Sequence, residues 1–397
     1  MKKLIVTDVT LKEAEKLQKF TDISTTACID VSWYDESAKE MVIDSRDALY
    51  GLYIVSKKDT FKGKTIKLGA DIVVNEGDAS KWADGTEPLP QNVWTAIPKF
   101  EGTFDGCGHS IKGLYMNGAG ANYFIKTANN CTIKDVRFVG GYTKSTGACN
   151  ATVAETFSGT MSDVYSDTIF DVGKSGEDSL TGGLIMCGAA GNATIENCWF
   201  AGQITADGAK LGGIAAYASA NQNVTVNIKN CLVTGTINCG FNYNSKAGGF
   251  VGEHNTANVT LNISDSVFAG DILYQGAQEL PYWGLGSTGV LLGICNQTSN
   301  SITTSDIYSV KRTGIYRGDQ STTPVELYDI ENTKGTVNET YYSNYTRFAS
   351  GLSVRLNEEQ IKGVNAHTNM KGLDFDTVWI TRVDDYPVLR NFKDISA

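Results

Sequence analysis

Apolar side chains recur with a fixed spacing through the middle of the chain. Counted from an anchor residue, they fall three, five and nine positions later, as in Ile195, Cys198, Phe200 and Ile204. The anchors of six copies, the weaker ones keeping only part of the pattern, are Ile133, Met161, Ile195, Ile228, Ile263 and Thr304. A repeat of roughly 30 to 40 residues without a helical period predicts a solenoid of short strands.

The second position after each anchor is always Asn or Asp. The six residues are Asp135, Asp163, Asn197, Asn230, Asp265 and Asp306. Asn and Asp tolerate the left-handed backbone conformation and hydrogen-bond to their own nearby backbone. We therefore predict that the chain turns a sharp corner between two strands at this position in every copy.

Glycine marks two further positions of the repeat. One lies seven residues after the anchor in the four best copies, and a Gly-Gly pair, or Thr288-Gly289 in its place, precedes four of the anchors. Glycine suits positions of positive φ or of close backbone approach. Each unit then holds three strand candidates, which favours a parallel β-helix, with a propeller of four-stranded blades as the structural rival.

The chain is expected to have four parts. Residues 1–36 form an N-terminal segment with a short helix, residues 37–60 hold a capping helix, residues 61–356 form the β-helix coils, and residues 357–397 form a C-terminal cap. The expected class is therefore all-β with short helical caps near the N-terminus.

Three local patterns support these caps. Ser45 is placed to N-cap a helix that reaches Ser56, and Asn357 could cap a short helix through Ile361. The apolar segment from Trp379 to Leu389 is expected to cover the last coil, because a solenoid must protect its terminal edge.

Composition narrows the class of partner. The 397 residues carry a formal net charge of −10, which argues against nucleic acid or an anionic membrane as the main partner. No apolar stretch reaches the length of about 18 residues that a membrane helix needs, so no membrane insertion is expected. The start of the chain has an apolar run of only three residues, Leu4 to Val6, which does not predict a signal peptide.

The repeat resembles the GLUG-motif repeats of bacterial cell-surface proteins. The resemblance rests on Gly-Gly followed by apolar residues, on Thr194-Ile195-Glu196-Asn197-Cys198, and on the glycine and isoleucine that follow. The stretch 94–111 is similar to an opening coil of that family, and the likeness extends over about residues 37 to 392. It implies a right-handed parallel β-helix at the bacterial surface or secreted, with structural repeats and no catalytic motif.

Metal, cofactor and disulfide sites find little support. The chain has nine cysteines and no Cys-x-x-Cys pair, and its three histidines leave little room for a metal site, so neither metal nor cofactor is expected. Cys198 and Cys231 share one repeat position, where stacked free thiols are favoured over a disulfide. Asp105 with His109, and Glu253 with His254, are interpreted as turns rather than as an acid–base pair and a groove lining.

Long insertions fall at one point of the repeat, between the ninth position and the next Gly-Gly pair. Insertions at one repeat position emerge on one side of a solenoid. Two of them carry aromatic residues among amides and carboxylates, a mixture that suits the faces and hydroxyls of sugars. The alternative is that these rings pin their own loops. The candidate ligand-binding residues are Phe241, Tyr243, Tyr274, Tyr282 and Trp283.

Three functions remain open from the sequence. The first is a non-catalytic surface protein that binds glycans or host surface molecules through this edge. The second is a polysaccharide-degrading glycoside hydrolase or lyase, for which Asp271 and Glu279 are weak candidates because no spacing singles out a carboxylate pair. The third is a structural stalk within a larger surface protein. The oligomeric state is not predicted.

Overall fold

A computed structural model gives the fold. It describes residues 28–119, 122–147, 149–173, 179–187, 191–206, 209–239, 245–254, 258–273, 287–295, 301–310, 313–315, 324–326, 330–331, 336–337, 340–341, 348–349 and 352–395. The predicted helix in the first 36 residues, at Thr10 to Phe20, lies outside this part of the chain.

The structure is all-β, with repeated parallel strands and few helices, which confirms the predicted class at that level. Each unit of the repeat adds one strand to each of several parallel ladders, which belong to three sheets. Sheet I is the largest and contains the anchor residues. The strands of sheet II follow the corner along the chain, and the strands of sheet III precede the bend at the Gly-Gly pair. A full unit contributes five strand segments rather than the three predicted, because the chain bends again after the corner and at Gly-Gly.

The strands of sheet I occupy three positions in the unit. Before the anchor they are Ile97–Phe100, Ile185–Cys187, Ala215–Ala218, Val251–His254 and Leu292–Cys295. Through the anchor position they are Glu40–Ile43, Thr65–Leu68, Thr103–Asp105, Ala193–Glu196 and Val224–Lys229. After the corner they are Ile72–Val73, Ser110–Lys112, Trp199–Phe200, Leu232–Val233 and Val354–Leu356. Longer strands that span several positions are Ile125–Val139, Ala154–Ser166, Val259–Phe268 and Ser301–Val310.

The other strands are shorter. Sheet II contains Tyr115–Met116, Tyr142–Ser145, Ile169–Val172, Gln203–Ala206, Thr236–Asn238 and Asp271–Leu273. Sheet III contains Cys149–Ala151, Ser179–Gly182, Ala209–Gly212, Lys246–Gly248 and Ser287–Gly289. Antiparallel pairs near the C-terminal end involve Thr313–Ile315, Pro324–Glu326, Ile330–Glu331, Thr336–Val337, Thr340–Tyr341, Phe348–Ala349, Trp379–Arg382 and Asp385–Leu389.

The anchors stack in register, as the repeat predicts. Ile195 pairs with Met161 on one side and with Ile228 on the other, and the column continues through every predicted anchor. It also extends upstream to Phe104, Ile66 and Met41. All these side chains except that of Thr304 are buried in one continuous apolar core.

The predicted corners are confirmed at all six positions. Their φ angles are 51° at Asp135, 56° at Asp163, 53° at Asn197, 50° at Asn230, 51° at Asp265 and 52° at Asp306. This is the left-handed region, in which Asn and Asp are tolerated and most other side chains are strained. The corner therefore has the same local cause in all six copies of the repeat.

The repeated glycine after the corner is required for space. A Cβ atom on Gly202 would lie 2.1 Å from the carbonyl oxygen of Thr168, and one on Gly235 would lie 2.4 Å from that of Gly202. Successive units thus touch backbone to backbone at this point, and no side chain fits between them.

The first copy departs from the predicted alignment. Gly140 has a φ of 59° and open space around its Cβ position, so it serves a turn instead of a close approach. The turn contains one extra residue, and Phe170 therefore pairs with Thr143. Tyr142 stands nine residues after Ile133, where the repeat predicts an inward side chain of the main core, but it packs in a separate cluster with Trp82 and Tyr115.

The stacked cysteines are free thiols. Cys198 and Cys231 are both fully buried, and neither forms a disulfide. Burial first, and the neighbouring Cys231 second, raise the pKa of Cys198 well above its ordinary value. The prediction of inward thiols at this position is confirmed.

Four helices flank the strands in the described part of the chain: α1 is Arg46–Ser56, α2 is Ala79–Asp84, α3 is Glu358–Ile361 and α4 is Gly363–Asn369. As predicted, the Ser45 side chain caps α1 by accepting a hydrogen bond of 3.2 Å from the Ala48 amide. Asn357 caps α3 in a reciprocal arrangement with Gln360, which also confirms that prediction. Helices α2 and α4 were not predicted from the sequence.

The C-terminal segment, residues 357–395, covers a side face of sheet I rather than the last unit alone. It packs on an outward column of side chains that pair with one another through five successive units: Tyr165, Trp199, Leu232, Val267 and Tyr308. Phe392 lies 5.9 Å from the ring of Tyr165 and 6.4 Å from that of Trp199, measured between centroids. The expectation of a cover for the last coil only was too narrow, because this apolar column is too long to be left in water.

The corner predicts an unusual mutational pattern at Asn230. Replacing Asn230 with Ala should destabilise the protein by about 1 kcal/mol, because Ala resists the left-handed region, whereas Asn230→Gly should be nearly neutral. Urea unfolding of both variants would test this, with Asn223→Ala at an exposed loop position as the control. Equal losses from the Ala and Gly variants would contradict the conformational explanation.

The side-face contact predicts a stabilising role for Phe392. Phe392→Ala should lower the free energy of unfolding by about 3 kcal/mol, because it removes a buried ring from the cluster with Trp199. Val383→Ala, at a side chain that is 90% exposed, should have little effect. Unfolding followed by tryptophan fluorescence would measure both, and an unchanged midpoint for Phe392→Ala would refute the role.

Candidate functional site

The four insertions leave the body between the end of a sheet II strand and the start of the next sheet III strand. We call this boundary the loop edge and define it by its described ends, which are Gly173 and Ser179, Ala206 and Ala209, Cys239 and Ser245, and Leu273 and Ser287. Each insertion lies at the same boundary between two sheets, as the repeat position predicts. The base of the third insertion is pinned, because the Ser245 hydroxyl donates to the Cys239 carbonyl at 2.9 Å.

The predicted binding residues cannot be placed against one another. Phe241, Tyr243, Tyr274, Tyr282, Trp283 and the candidate acid Glu279 all lie outside the described residues. Asp271 is described: it begins a sheet II strand, pairs with Thr236 of the preceding unit and is partly exposed. The roles of Asp271 and Glu279 as weak catalytic candidates therefore stay predictions.

A tight bend brings charged residues together beside the loop edge. After each sheet III strand the chain bends at Gly-Gly, where a Cβ atom on Gly212 would lie 2.0 Å from the Ala215 carbonyl oxygen and one on Gly248 would lie 1.9 Å from that of Val251. Only glycine fits so sharp a bend. The two strands that flank it therefore place side chains close to one another.

Four side chains meet at two of these bends, and we call them the bend cluster: Lys210, Lys246, Glu253 and Tyr217. The Lys210 ammonium lies 2.9 Å from one Glu253 carboxylate oxygen, and the Lys246 ammonium lies 3.4 Å from the other. The Lys210 Nζ also lies 4.4 Å from the centroid of the Tyr217 ring, within cation–π range. Lys210 and Lys246 are neighbours in the sheet III register, as Tyr217 and Glu253 are in sheet I.

The bend cluster combines a buried carboxylate with two partly exposed lysine side chains. The Glu253 side chain is 1% exposed, whereas those of Lys210 and Lys246 are 18% and 25% exposed. Removing a carboxylate from water costs several kcal/mol unless opposite charges compensate it. Two lysines share this one carboxylate, so the three charges sum to +1 in a chain whose net charge is −10.

The reading of Glu253 and His254 as a solvated turn was wrong. Both residues belong to the strand Val251–His254, and His254 is fully buried. The His254 Nε2 lies 3.1 Å from the Val259 carbonyl oxygen, which can only accept, so Nε2 carries the proton. Burial lowers the pKa of His254 to about 4, so the ring is neutral near pH 7 and adds no charge to the bend cluster.

The other suspected pair is a turn, as predicted. The Asp105 carboxylate contacts the Lys134 ammonium at 2.8 Å and accepts from the Cys107 amide, and His109 faces Asp71 instead at 3.5 Å. Burial opposes ionisation of Asp105, but Lys134 and the Cys107 amide lower its pKa below the ordinary value. Asp105 and His109 therefore do not form an acid–base pair.

A second polar pair lies on the same ladder as Glu253. The buried Tyr123 donates its hydroxyl hydrogen to the Glu155 carboxylate, and burial, followed by the Glu155 charge, raises the pKa of Tyr123. Glu155 lies three ladder steps from the Glu253 region, about 14 Å at about 4.8 Å per step. A glycosidase needs its two carboxyl groups about 5 to 9.5 Å apart, so these two do not form such a pair.

One further concavity is formed by residues near the N-terminal end of the described chain. A cleft of about 380 Å³ near α1 is lined by residues that include Arg46, Asn75 and Asn92. Asn75 donates to the Asn92 and Gly113 carbonyls, and Asn92 donates to the Val74 carbonyl. The Asn75 and Asn92 amides are thus used in hydrogen bonds to the backbone. The bend cluster is therefore the better candidate for a binding site.

Metal binding and membrane crossing find no support in the described residues. Among them, no group of three or more His, Cys, Asp or Glu side chains is arranged to hold a metal ion. No helix within the same residues is both long and apolar enough to cross a membrane.

Comparisons with known proteins support a likeness in fold only. No family model matches the chain, and no curated protein matches it. The chain is similar to a crystal structure of a protein named as a putative immunoglobulin A1 protease from Bacteroides ovatus, with a TM-score of 0.54 and 16% sequence identity. The match covers 89% of this chain and 92% of the other. At this identity the two proteins share an architecture, and the likeness says nothing about chemistry.

The bend cluster was missed at the sequence level, although a signal for it exists. Lys210 and Lys246 stand two residues before a Gly-Gly pair, and Tyr217 and Glu253 stand at one common position after it. Charged or aromatic residues on both sides of a forced bend must come close together. The positions of the glycines alone do not predict which side chains meet at the bend.

Burial of His254 predicts a specific pH dependence of stability. The unfolded ring takes up a proton near pH 6.5 and the folded ring only near pH 4, so the unfolded state binds more protons between these values and stability falls as the pH is lowered through them. Between pH 7 and pH 5 the wild type should lose about 2 kcal/mol more than His254→Gln, which keeps a donor for the Val259 carbonyl. Urea unfolding at both pH values would measure the difference, and parallel losses in the two proteins would contradict it.

Proposed function

We propose that the protein is a bacterial cell-surface or secreted protein that binds glycans or host surface molecules through the loop edge, as an adhesin does. We further propose that its repeat units stack as a right-handed parallel β-helix of the GLUG-motif type. Parallel register through successive units and a left-handed Asx corner in each unit support this arrangement. The surface location rests on the sequence resemblance.

The observation that carries the binding proposal is the common origin of the four insertions. All connect a sheet II strand to the next sheet III strand, so their described ends lie at one common boundary of the stacked units. Loops on a rigid body are the usual carriers of recognition. The bend cluster lies at the sheet III side of the same boundary and supplies charged side chains there.

Proteolysis, which the name of the similar protein mentions, is not proposed for this chain. A likeness in fold at 16% identity does not transfer an activity. The exposed thiol of Cys107 has a pKa raised by burial and by Asp105, whereas a nucleophilic cysteine needs a lowered pKa.

Removal of the loop-edge aromatic pair should weaken binding and leave the fold intact. The protein would be screened on a glycan array, and the glycans found would be titrated against Tyr282→Ala combined with Trp283→Ala. Loss of two stacking rings should weaken binding at least about tenfold, since such contacts contribute about 1 kcal/mol or more each. Circular dichroism and the urea midpoint should not change.

The control is Tyr386→Ala, which removes an aromatic ring from the C-terminal segment, away from the loop edge. It should bind like the wild type. If the double variant bound every glycan found on the array as tightly as the wild type, the proposed role of these rings would be disproved. Release of oligosaccharides from the same glycans would instead favour the enzyme alternative.

A further inference from the structure

We infer that the cleft near α1 is a second binding site, which takes a neutral sugar unit. The inference is independent of the proposed function, because none of the residues that line this cleft belongs to the loop edge or to the bend cluster. The cleft volume of about 380 Å³ lies near the lower end of the range for small-molecule sites, which begins at about 300 Å³. The cleft therefore suits one or two sugar units rather than a long chain.

The buried and the exposed polar side chains of this cleft differ in what they bind. The buried Asn75 amide is used in hydrogen bonds to the backbone. Three other lining side chains, those of Arg46, Glu76 and Gln91, form no hydrogen bond with the rest of the described chain. Glu76 is 82% exposed and has one distant ion pair, 4.0 Å from the Lys112 ammonium, and Gln91 is exposed as well. These three side chains are therefore available to a ligand.

Arg46 is the first residue of α1 and carries an unmet hydrogen-bond donor. Its Nε is buried and has no acceptor among the described residues, and the Asp47 carboxylate lies 3.8 Å from it. Buried polar groups almost always have a hydrogen-bond partner, so an unmet donor beside a cleft points to an acceptor on a ligand. The Arg46 side chain is 39% exposed and lines the cleft, so a ligand can contact it there.

The cleft also has apolar walls that are partly open to solvent. Val73 and Leu89 are 36% and 40% exposed, and Pro90 lines the cleft beside Leu89. Single exposed apolar side chains are common on protein surfaces, whereas a group of them within one concavity indicates a contact surface. The C–H groups of a sugar ring can cover these walls while its hydroxyls turn toward the polar side chains.

Charge and hydrogen-bonding chemistry together favour a neutral sugar over an ion. Arg46 is paired with Asp47, and this pair carries no net charge. Glu76 is likewise paired with Lys112, so the cleft favours neither sign of ligand charge. Arg46 only donates, Glu76 only accepts and Gln91 does both. A sugar hydroxyl is donor and acceptor at once, whereas a carboxylate could satisfy Arg46 but would be repelled by Glu76.

The test compares small neutral sugars with a charged sugar and a peptide. Glucose, galactose, lactose and cellobiose would be screened by saturation-transfer NMR, and those that bind would be titrated by calorimetry at low and high salt. Glucuronate and the dipeptide glycyl-leucine are the anionic and peptide comparisons. We expect at least one neutral sugar to bind more tightly than both, with an affinity that salt does not change, because the sugar carries no charge.

The decisive variant is Glu76→Ala combined with Gln91→Ala, which removes two exposed side chains and should leave the unfolding midpoint unchanged. Binding of the neutral sugar should weaken at least about tenfold, because two hydrogen bonds to the ligand are lost. The matched control is Gln222→Ala combined with Glu359→Ala, an exposed amide and an exposed carboxylate outside the cleft. It should bind like the wild type.

The outcomes separate this inference from the proposed function. A sugar that is lost by Tyr282→Ala with Trp283→Ala, but is bound equally by the cleft variant and the wild type, would overturn the inference and leave the function standing. Tighter binding of glucuronate or glycyl-leucine than of every neutral sugar, or no binding of any neutral sugar, would also overturn it. Weakened binding in the cleft variant alone would support the inference, whatever the array shows for the loop edge.

Discussion

The structure depends on one backbone constraint, the left-handed corner after each anchor. In a strand, successive side chains alternate between two faces, and a shift by one residue would send every apolar side chain to the wrong side. The corner residue takes up one position in the left-handed conformation, so the anchor and the apolar residue after the corner both point inward. Because Asn or Asp stands there in each unit, neighbouring units turn at the same place and their backbones remain in parallel register.

Close backbone contact between units follows from that register and determines where side chains can stand. At Gly202 and Gly235 the preceding unit leaves no room for a Cβ atom, and at Gly212 and Gly248 the chain's own bend leaves none. Residues on either side of a bend are thereby held close together. The ion pairs of Lys210 and Lys246 with Glu253 are thus a consequence of glycine packing, and their position beside the loop edge follows from the order of the sheets.

The sequence was sufficient to predict local structure where one residue controls the backbone conformation. The corners, the cap at Ser45 and the cap at Asn357 each depend on a side chain that bonds to its own neighbourhood. The extra residue after Gly140 could not be found in the same way, because the aromatic Tyr142 stands at the ninth position, whereas Thr143, which takes that place in the ladder, is polar. The course of the C-terminal segment depends on contacts between distant parts of the chain, such as Arg137 with Asp394, which no local pattern encodes.

The candidate site was only partly predictable for a related reason. The sequence located the loop edge, because the position of an insertion in a repeat fixes the side on which it emerges. It did not locate the bend cluster, because the burial of Glu253 depends on neighbouring units.

The net charge of the whole chain was also a poor guide to the charges within a small local site. A total of −10 argues against large anionic partners, yet salt screens charges beyond about 8 to 10 Å, so a ligand inside a partly buried cluster responds mainly to the nearest groups. In the bend cluster, two lysines surround one buried carboxylate although the chain as a whole is acidic.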